Sequence, residues 1–94
     1  MEIHAPYVKP VFTHTERGHY TEEARVARVN GVVKIIALFS SDGRIKLITP
    51  VTTLKLGLTE ESIRAAEKTK FIPAQKDGKP VSVLMILEFS FNVY

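Results

Sequence analysis

The longest regular pattern of apolar and polar residues lies at the end of the chain. Val81, Val83, Met85, Leu87, Phe89, Phe91 and Val93 alternate with Ser82, Leu84, Ile86, Glu88, Ser90, Asn92 and Tyr94. Successive side chains of a strand point to opposite faces, so this period of two predicts one long strand. A second alternation runs through Val33, Ile35, Ala37 and Phe39, in a segment (residues 32–39) rich in apolar and β-branched residues. "SSDG" follows, and its Asp42-Gly43 pair is a hairpin signal. Beyond the turn, Ile45, Leu47 and Val51 continue the odd-numbered apolar face, while Lys34, Arg44 and Lys46 occupy the even face and should meet water.

Two segments carry helix signals instead. In "YTEEARVARVNG", Thr21 is a candidate N-cap, with Glu22 and Glu23 in the first turn, where the helix dipole favours negative charge. Ala24, Ala27 and either Val26 or Val29 give a narrow apolar stripe, and Gly31 after Asn30 reads as the stop. In "GLTEESIRAAEKTKF", Thr59 is the candidate N-cap, and Leu58 packs on Ile63 as a hydrophobic staple. Ile63, Ala66 and the stem of Lys70 share a face with Ala65 beside it. Glu60 and Arg64 form an i,i+4 pair worth about 0.2–0.5 kcal/mol.

The connecting segments are irregular. Residues 1–19 have no sustained period, and Pro6 and Pro10 exclude a helix. They read as an extended or flexible arm, ordered only if it docks, ahead of a domain at residues 20–94. After the second helix, "KFIPAQKDGKP" ends the helix and reverses the chain. Phe71 plugs the core, Pro73 stops the helix, Asp77-Gly78 turns, and Pro80 suits the entrance of an edge strand.

Connection rules convert these elements into a topology. The hairpin strands are antiparallel, and a helical crossover makes the second and last strands run the same way. The expected fold is α+β in the order α-β-β-α-β. It has a three-stranded antiparallel sheet in the order second, first, last, with both helices on one face. The long last strand then lies at an edge.

Composition narrows the function. The 94 residues are 45% hydrophobic and 24% charged, which points to one small globular domain. The net charge of +3 is spread among nearly matching acids and reads as a solvated surface rather than a nucleic-acid footprint. No apolar run approaches a membrane span, and "MEIHAPYVKP" lacks the apolar core of a signal peptide. With no cysteine, there is neither a disulfide framework nor a thiolate metal site. Candidate catalytic groups have structural explanations: Glu22-Glu23 and Glu60-Glu61 as first-turn acids, Asp42 and Asp77 as turn residues. His4, His14 and His19 lack metal-site spacing, and "SSDGR" and "KDGK" lack the glycine spacing of a phosphate loop. The outer sheet face offers no aromatic pair for base stacking, with Tyr94 only at its end. No catalytic residue, metal or cofactor is expected.

What remains is surface. Residues 82–92 contain one charge, Glu88, and no proline, so the predicted edge lacks the usual protection against pairing. Ile36, Leu38, Ile48, Leu84 and Ile86 gather on the outer face. Either the arm or a second copy covers them, or edge and patch receive a partner by strand addition.

At this point the chain resembles the C-terminal domain of TonB energy transducers. The resemblance rests on "YTEEARVARVNGVV" with Tyr20, Ala24 and Gly31, then "DGRI" with Asp42 and Gly43. "LTEESIRAAEKTKFIPA" follows, with Ala66, Phe71, Pro73 and Ala74, and then "KDGKPV" with Gly78 and Pro80. It covers roughly three-quarters of the chain, from Tyr20 to about Phe91. The family often has proline where this chain has Thr21, glutamine–proline where it has Gly18-His19, and tryptophan where it has Thr69.

The resemblance implies a non-enzymatic periplasmic module at the end of an inner-membrane protein. Such a module carries energy from a motor complex driven by the proton-motive force to outer-membrane TonB-dependent transporters. It pairs its last strand with the transporter's TonB box. Carried onto this sequence, that pairing falls on Val81, Ser82, Val83, Leu84, Met85, Ile86, Leu87, Glu88, Phe89, Ser90 and Phe91, flanked by Tyr20 and Thr21. The motor partners and the membrane anchor belong to an upstream region that this sequence does not contain. The rival expectation is a self-association module, a homodimer made by edge pairing or by strand exchange.

Overall fold

The computed structural model describes residues 7–93 and has an α+β architecture of antiparallel sheets and two helices among them. In chain order the elements are β1 (Tyr7–Val8), β2 (Val11–His14), α1 (Glu22–Val26), β3 (Gly31–Phe39), β4 (Ile45–Thr52), α2 (Leu58–Glu67), β5 (Lys70–Ile72), β6 (Ala74–Lys76), β7 (Lys79–Val81) and β8 (Val83–Phe91). The readings of His4 and Tyr94 lie outside the described residues.

The principal sheet has the order β4-β3-β8. β3 and β8 pair without interruption, from Gly31 opposite Phe91 to Phe39 opposite Val83. On β3, Val33, Ile35, Ala37 and Phe39 are all fully buried, as period-two burial of one face requires. Ala24 of α1 with Leu58 and Ala66 of α2 cover one end of that face, packing on Val33, Ile35 and Phe91. The other end is covered by the rings of Phe71 and Phe12, whose centroids lie 4.9 and 5.5 Å from that of Phe39 in edge-on contacts.

β4 departs from simple alternation. Its register against β3 shifts twice, so that Leu47 and Ile48 together oppose Ala37, and Val51 falls between the partners of Lys34 and Ile35. Leu47 takes a left-handed backbone conformation (φ 55°) and is 71% exposed; Val51 is also exposed. The expected odd-numbered face therefore ends at Ile45. Each extra residue flips the strand's faces, and Ile48 turns inward onto the core in place of Leu47. The Thr52 hydroxyl bridges the second irregularity, accepting from Lys34 N–H at 2.9 Å and donating to Val32 O at 3.1 Å.

The N-terminal segment is a strand partner. β1 pairs with β6 and β2 with β5; from Tyr7 to Phe12 the two ladders share a register that sets Pro10 opposite Pro73, and the register shifts between Phe12 and His14. Neither proline has an N–H, which explains why the ribbon breaks into two short ladders there. β6 and β7 form a tight hairpin across Asp77 and Gly78, whose φ angles of 55° and 77° are those of a type I′ turn. The same dipeptide acts differently at residues 42–43. There Ser40 N–H donates to Arg44 O at 2.9 Å, and only Gly43 is left-handed.

Several helix readings are corrected. Thr21 caps α1 as expected, accepting from Ala24 N–H at 3.1 Å. But α1 ends at Val26, and Arg28, not Gly31, is the left-handed residue nearest its end. Gly31 opens β3 with φ 146°, where a β-carbon would stand 2.9 Å from Leu54 Cδ2. In α2 the N-cap is Gly57 (φ 86°), and Leu58 and Thr59 lie inside the helix. The Thr59 hydroxyl folds back to accept from Leu54 N–H and donate to Leu54 O, both at 2.8 Å. Arg64 bonds Glu61 at 2.6 Å rather than Glu60, and Lys70 belongs to β5 rather than to a helix face.

Candidate partner-binding edge

β8 has one neighbour, β3, and among the described residues nothing pairs with its other side. Alternate residues of an antiparallel edge point N–H and C=O outward, so β8 offers about four or five residues' worth of unpaired backbone groups. The predicted edge began at Val81. The structure places Val81 in β7, paired with Ala74, and Ser82 between the strands, its hydroxyl accepting from Ser41 N–H at 2.8 Å. The continuous edge is therefore β8 itself. Beyond it, Val93 N–H donates to Asn30 Oδ1 at 2.7 Å, tying the chain back to the start of β3.

The two faces of β8 differ. Val83, Met85, Leu87 and Phe89 are half-buried against the core, and Phe91 is buried. Leu84 and Ile86, at 66% and 56% exposure, stand on the outer face with Glu88 and Ser90. Across the ladder they meet Leu38 opposite Leu84, Ile36 opposite Ile86 and Lys34 opposite Glu88. Ile36, Leu84, Met85 and Ile86 line a shallow apolar hollow of about 410 Å³. Ile48, expected on this outer patch, packs on the inner core instead because of the β4 bulge.

Along its C-terminal half β8 borders a groove of about 640 Å³. One wall is residues 87–92; the other is residues 15–18, with Tyr20 and Thr69. Sequence reasoning placed residues 15–18 in the arm and missed this wall, which carries no hydrophobic pattern. Tyr20, an expected flanking residue, does lie here. Its hydroxyl donates to Val29 O at 2.9 Å, and its ring meets Phe91 edge-on at 5.3 Å. Thr21 does not line the groove; its hydroxyl donates to Leu56 O at 2.6 Å.

The electrostatics of the groove centre on Glu16. Its carboxylate bonds His14 Nε2 at 2.9 Å and lies 3.9 Å from Lys68 Nζ. The hydrogen bond from His14 holds its pKa below the usual value, helped by the positive charges of Lys68, His14 and His19. The second groove carboxylate, Glu88, makes no hydrogen bond or ion pair with another described residue.

The motif residues serve the scaffold. Ala24 is buried beneath the sheet, Asp42 and Gly43 make the β3–β4 turn, and Phe71 packs on Phe39. Pro73 interrupts the ribbon, while Gly78 and Pro80 belong to the β6–β7 hairpin. Among the described residues no group of three or more His, Asp or Glu is placed to hold a metal, and no helix is long and apolar enough to cross a membrane. The arrangement offers backbone hydrogen bonds, an apolar ledge and a groove, which is equipment for holding an extended chain.

The family model described as Gram-negative bacterial TonB protein C-terminal matches residues 16–93. A search of curated proteins finds no match.

Proposed function

Because the chain belongs to the Gram-negative TonB protein C-terminal family, we propose that β8 is the strand by which it grips an outer-membrane receptor. The family is one of non-enzymatic, energy-transducing transport domains that work with outer-membrane receptors from the periplasm. In the proposed action, the receptor's TonB box adds beside β8 as a further strand of the sheet. Pull from an inner-membrane complex driven by the proton-motive force reaches the receptor through that ladder. An inner-membrane anchor in the parent protein would supply the other end of the coupling.

The open edge of β8 is the observation that carries this reading. About four or five added hydrogen bonds, each worth a net ~1 kcal/mol, less the cost of ordering the peptide, give weak binding. Weak binding suits a partner that must be released in each cycle. The test is a titration of 15N-labelled protein with peptides from receptor N-termini. The largest amide shifts are expected on residues 83–91; shifts confined elsewhere would refute the reading.

A second reading has the same support, since the bare edge and the exposed Leu84 and Ile86 also suit a second copy. In that case the chain is a homodimer made by edge pairing or strand exchange. Sedimentation over a concentration range separates the two, because a monomer at high concentration excludes the dimer.

A further inference from the structure

The side chains beside the open edge carry information about the partner that the backbone does not. We propose that the bound segment presents three alternate side chains to the outer face of β8, apolar beside Leu84, apolar beside Ile86, and lysine or arginine beside Glu88. This rests on the edge-addition reading above and adds a side-chain code to it.

β3 supplies the first argument. It already pairs with one side of β8, and its outward residues are Leu38, Ile36 and Lys34, opposite Leu84, Ile86 and Glu88 in that order. Cross-strand neighbours on one face lie about 4.5–5.5 Å apart, and opposite charges or paired apolar groups favour each other there. A strand added on the free side meets the same three side chains at the same spacing. Its best complement therefore repeats the β3 pattern.

Charge gives the second argument. Glu16 and Glu88 both line the groove beside β8. Glu16 already has partners, a hydrogen bond with His14 Nε2 and the ammonium of Lys68 at 3.9 Å. Glu88 has no ion pair among the described residues, although Lys34 stands opposite it. A cation on the incoming strand would give Glu88 a close partner on its open side. An acidic residue there would meet like charge. The hollow lined by Ile36, Leu84, Met85 and Ile86 gives the neighbouring apolar side chains a place to bury surface.

The experiment uses the whole chain and synthetic peptides of about nine residues, matched to the length of β8. One peptide carries Lys-x-Ile-x-Leu and another its reverse, with threonine at each x, so that both strand directions are sampled. Counterparts replace the lysine by glutamate. The better-binding lysine peptide is expected to bind roughly three- to tenfold more tightly than its glutamate counterpart. Glu88→Lys should invert this preference, and Glu88→Gln should abolish it, with folding of each variant checked by its amide spectrum. If lysine and glutamate peptides bind equally, with amide shifts still on β8, the side-chain code is wrong and edge addition stands. If no peptide shifts β8, both fall. If β8 amides shift with protein concentration alone, the edge belongs to a second copy, and the proposal is overturned.

Discussion

A β-carbon on Gly18 would stand 2.6 Å from Cζ of Phe91. The backbone at residue 18 thus lies directly against the tip of a ring that ends β8 and is wedged on another side by Tyr20. Phe91 is buried, so the ring has little room to move. Gly18→Ala should cost about 1–3 kcal/mol, the usual range for overpacking a filled site. Urea unfolding measures the loss. The same variant should shift amides on both walls of the groove, residues 15–18 and 87–92; an unchanged midpoint would mean that the contact is slack.

Thr21 uses one hydroxyl for two purposes. It caps α1 by accepting from Ala24 N–H and ties α1 to the entry of α2 by donating to Leu56 O. Thr21→Val keeps the shape and removes both bonds. It should destabilise the fold by about 1–2 kcal/mol, whereas Thr21→Ser should retain most of the stability. A Thr21→Val midpoint equal to or above that of Thr21→Ser in thermal unfolding would show that the two hydroxyl bonds contribute no more than the methyl.

The parts of this fold that could be read in the sequence are those where burial imposes a period. Val33 to Phe39 and the alternation of β8 are legible because one face of each strand is buried and the other is not. The bulge at Leu47 is invisible to pattern, because leucine carries no signal for a left-handed backbone. The ribbon of β1 and β2 is invisible for a different reason. Tyr7, Val8, Val11 and Phe12 are all substantially exposed, so no alternation marks them, and their partners lie more than half the chain away. Gly31 reads as a helix stop because a glycine that permits close approach to Leu54 looks the same in sequence as one that ends a helix. At the candidate site, the bare edge could be seen in the absence of lysine and proline along β8. The facing wall at residues 15–18 could not, since the glycine at its closest point contributes backbone alone.

Leu47 sets up a stabilising substitution. It combines a left-handed backbone with an exposed apolar side chain. Asparagine tolerates that conformation better than leucine, and nothing buried is lost on replacing it. Leu47→Asn should raise stability by about 0.5–1 kcal/mol, read as a higher denaturation midpoint at unchanged slope. A lower midpoint would mean that the leucine packs in the folded protein more than its exposure indicates.

Acid should weaken the β3–β4 turn. Hydrogen bonds from Lys46 and then Ser40, with Arg44 N–H, hold the Asp42 pKa at about 2, below its ordinary 3.8. A folded-state pKa below the unfolded value gives stability that is present above pH 3.8 and is lost as pH falls toward 2. Glu16 and Glu22, also lowered, act in the same direction. Asp42→Asn should flatten the fall in melting temperature between about pH 4 and 2. Added salt should reduce the difference between variant and wild type, because the pair with Lys46 is exposed.

The edge-strand reading predicts a particular response to proline. Pro80 lies in β7, outside the proposed ladder, so Pro80→Ala should leave peptide binding nearly unchanged. Within β8, outward and inward N–H groups alternate, so Ile86 and its neighbour Met85 point their amides in opposite directions. Proline at whichever position donates to β3 should unfold the sheet. At the other position it should leave the fold intact while removing one donor from the bound peptide and placing a ring in its path. Leu84→Pro should behave as Ile86→Pro does, since the two share a phase. One folded, non-binding member of the Met85/Ile86 pair, identified by circular dichroism and peptide titration, is therefore the expected result. If the folded member binds peptide as well as wild type does, or if Pro80→Ala costs as much affinity, the partner does not pair with β8.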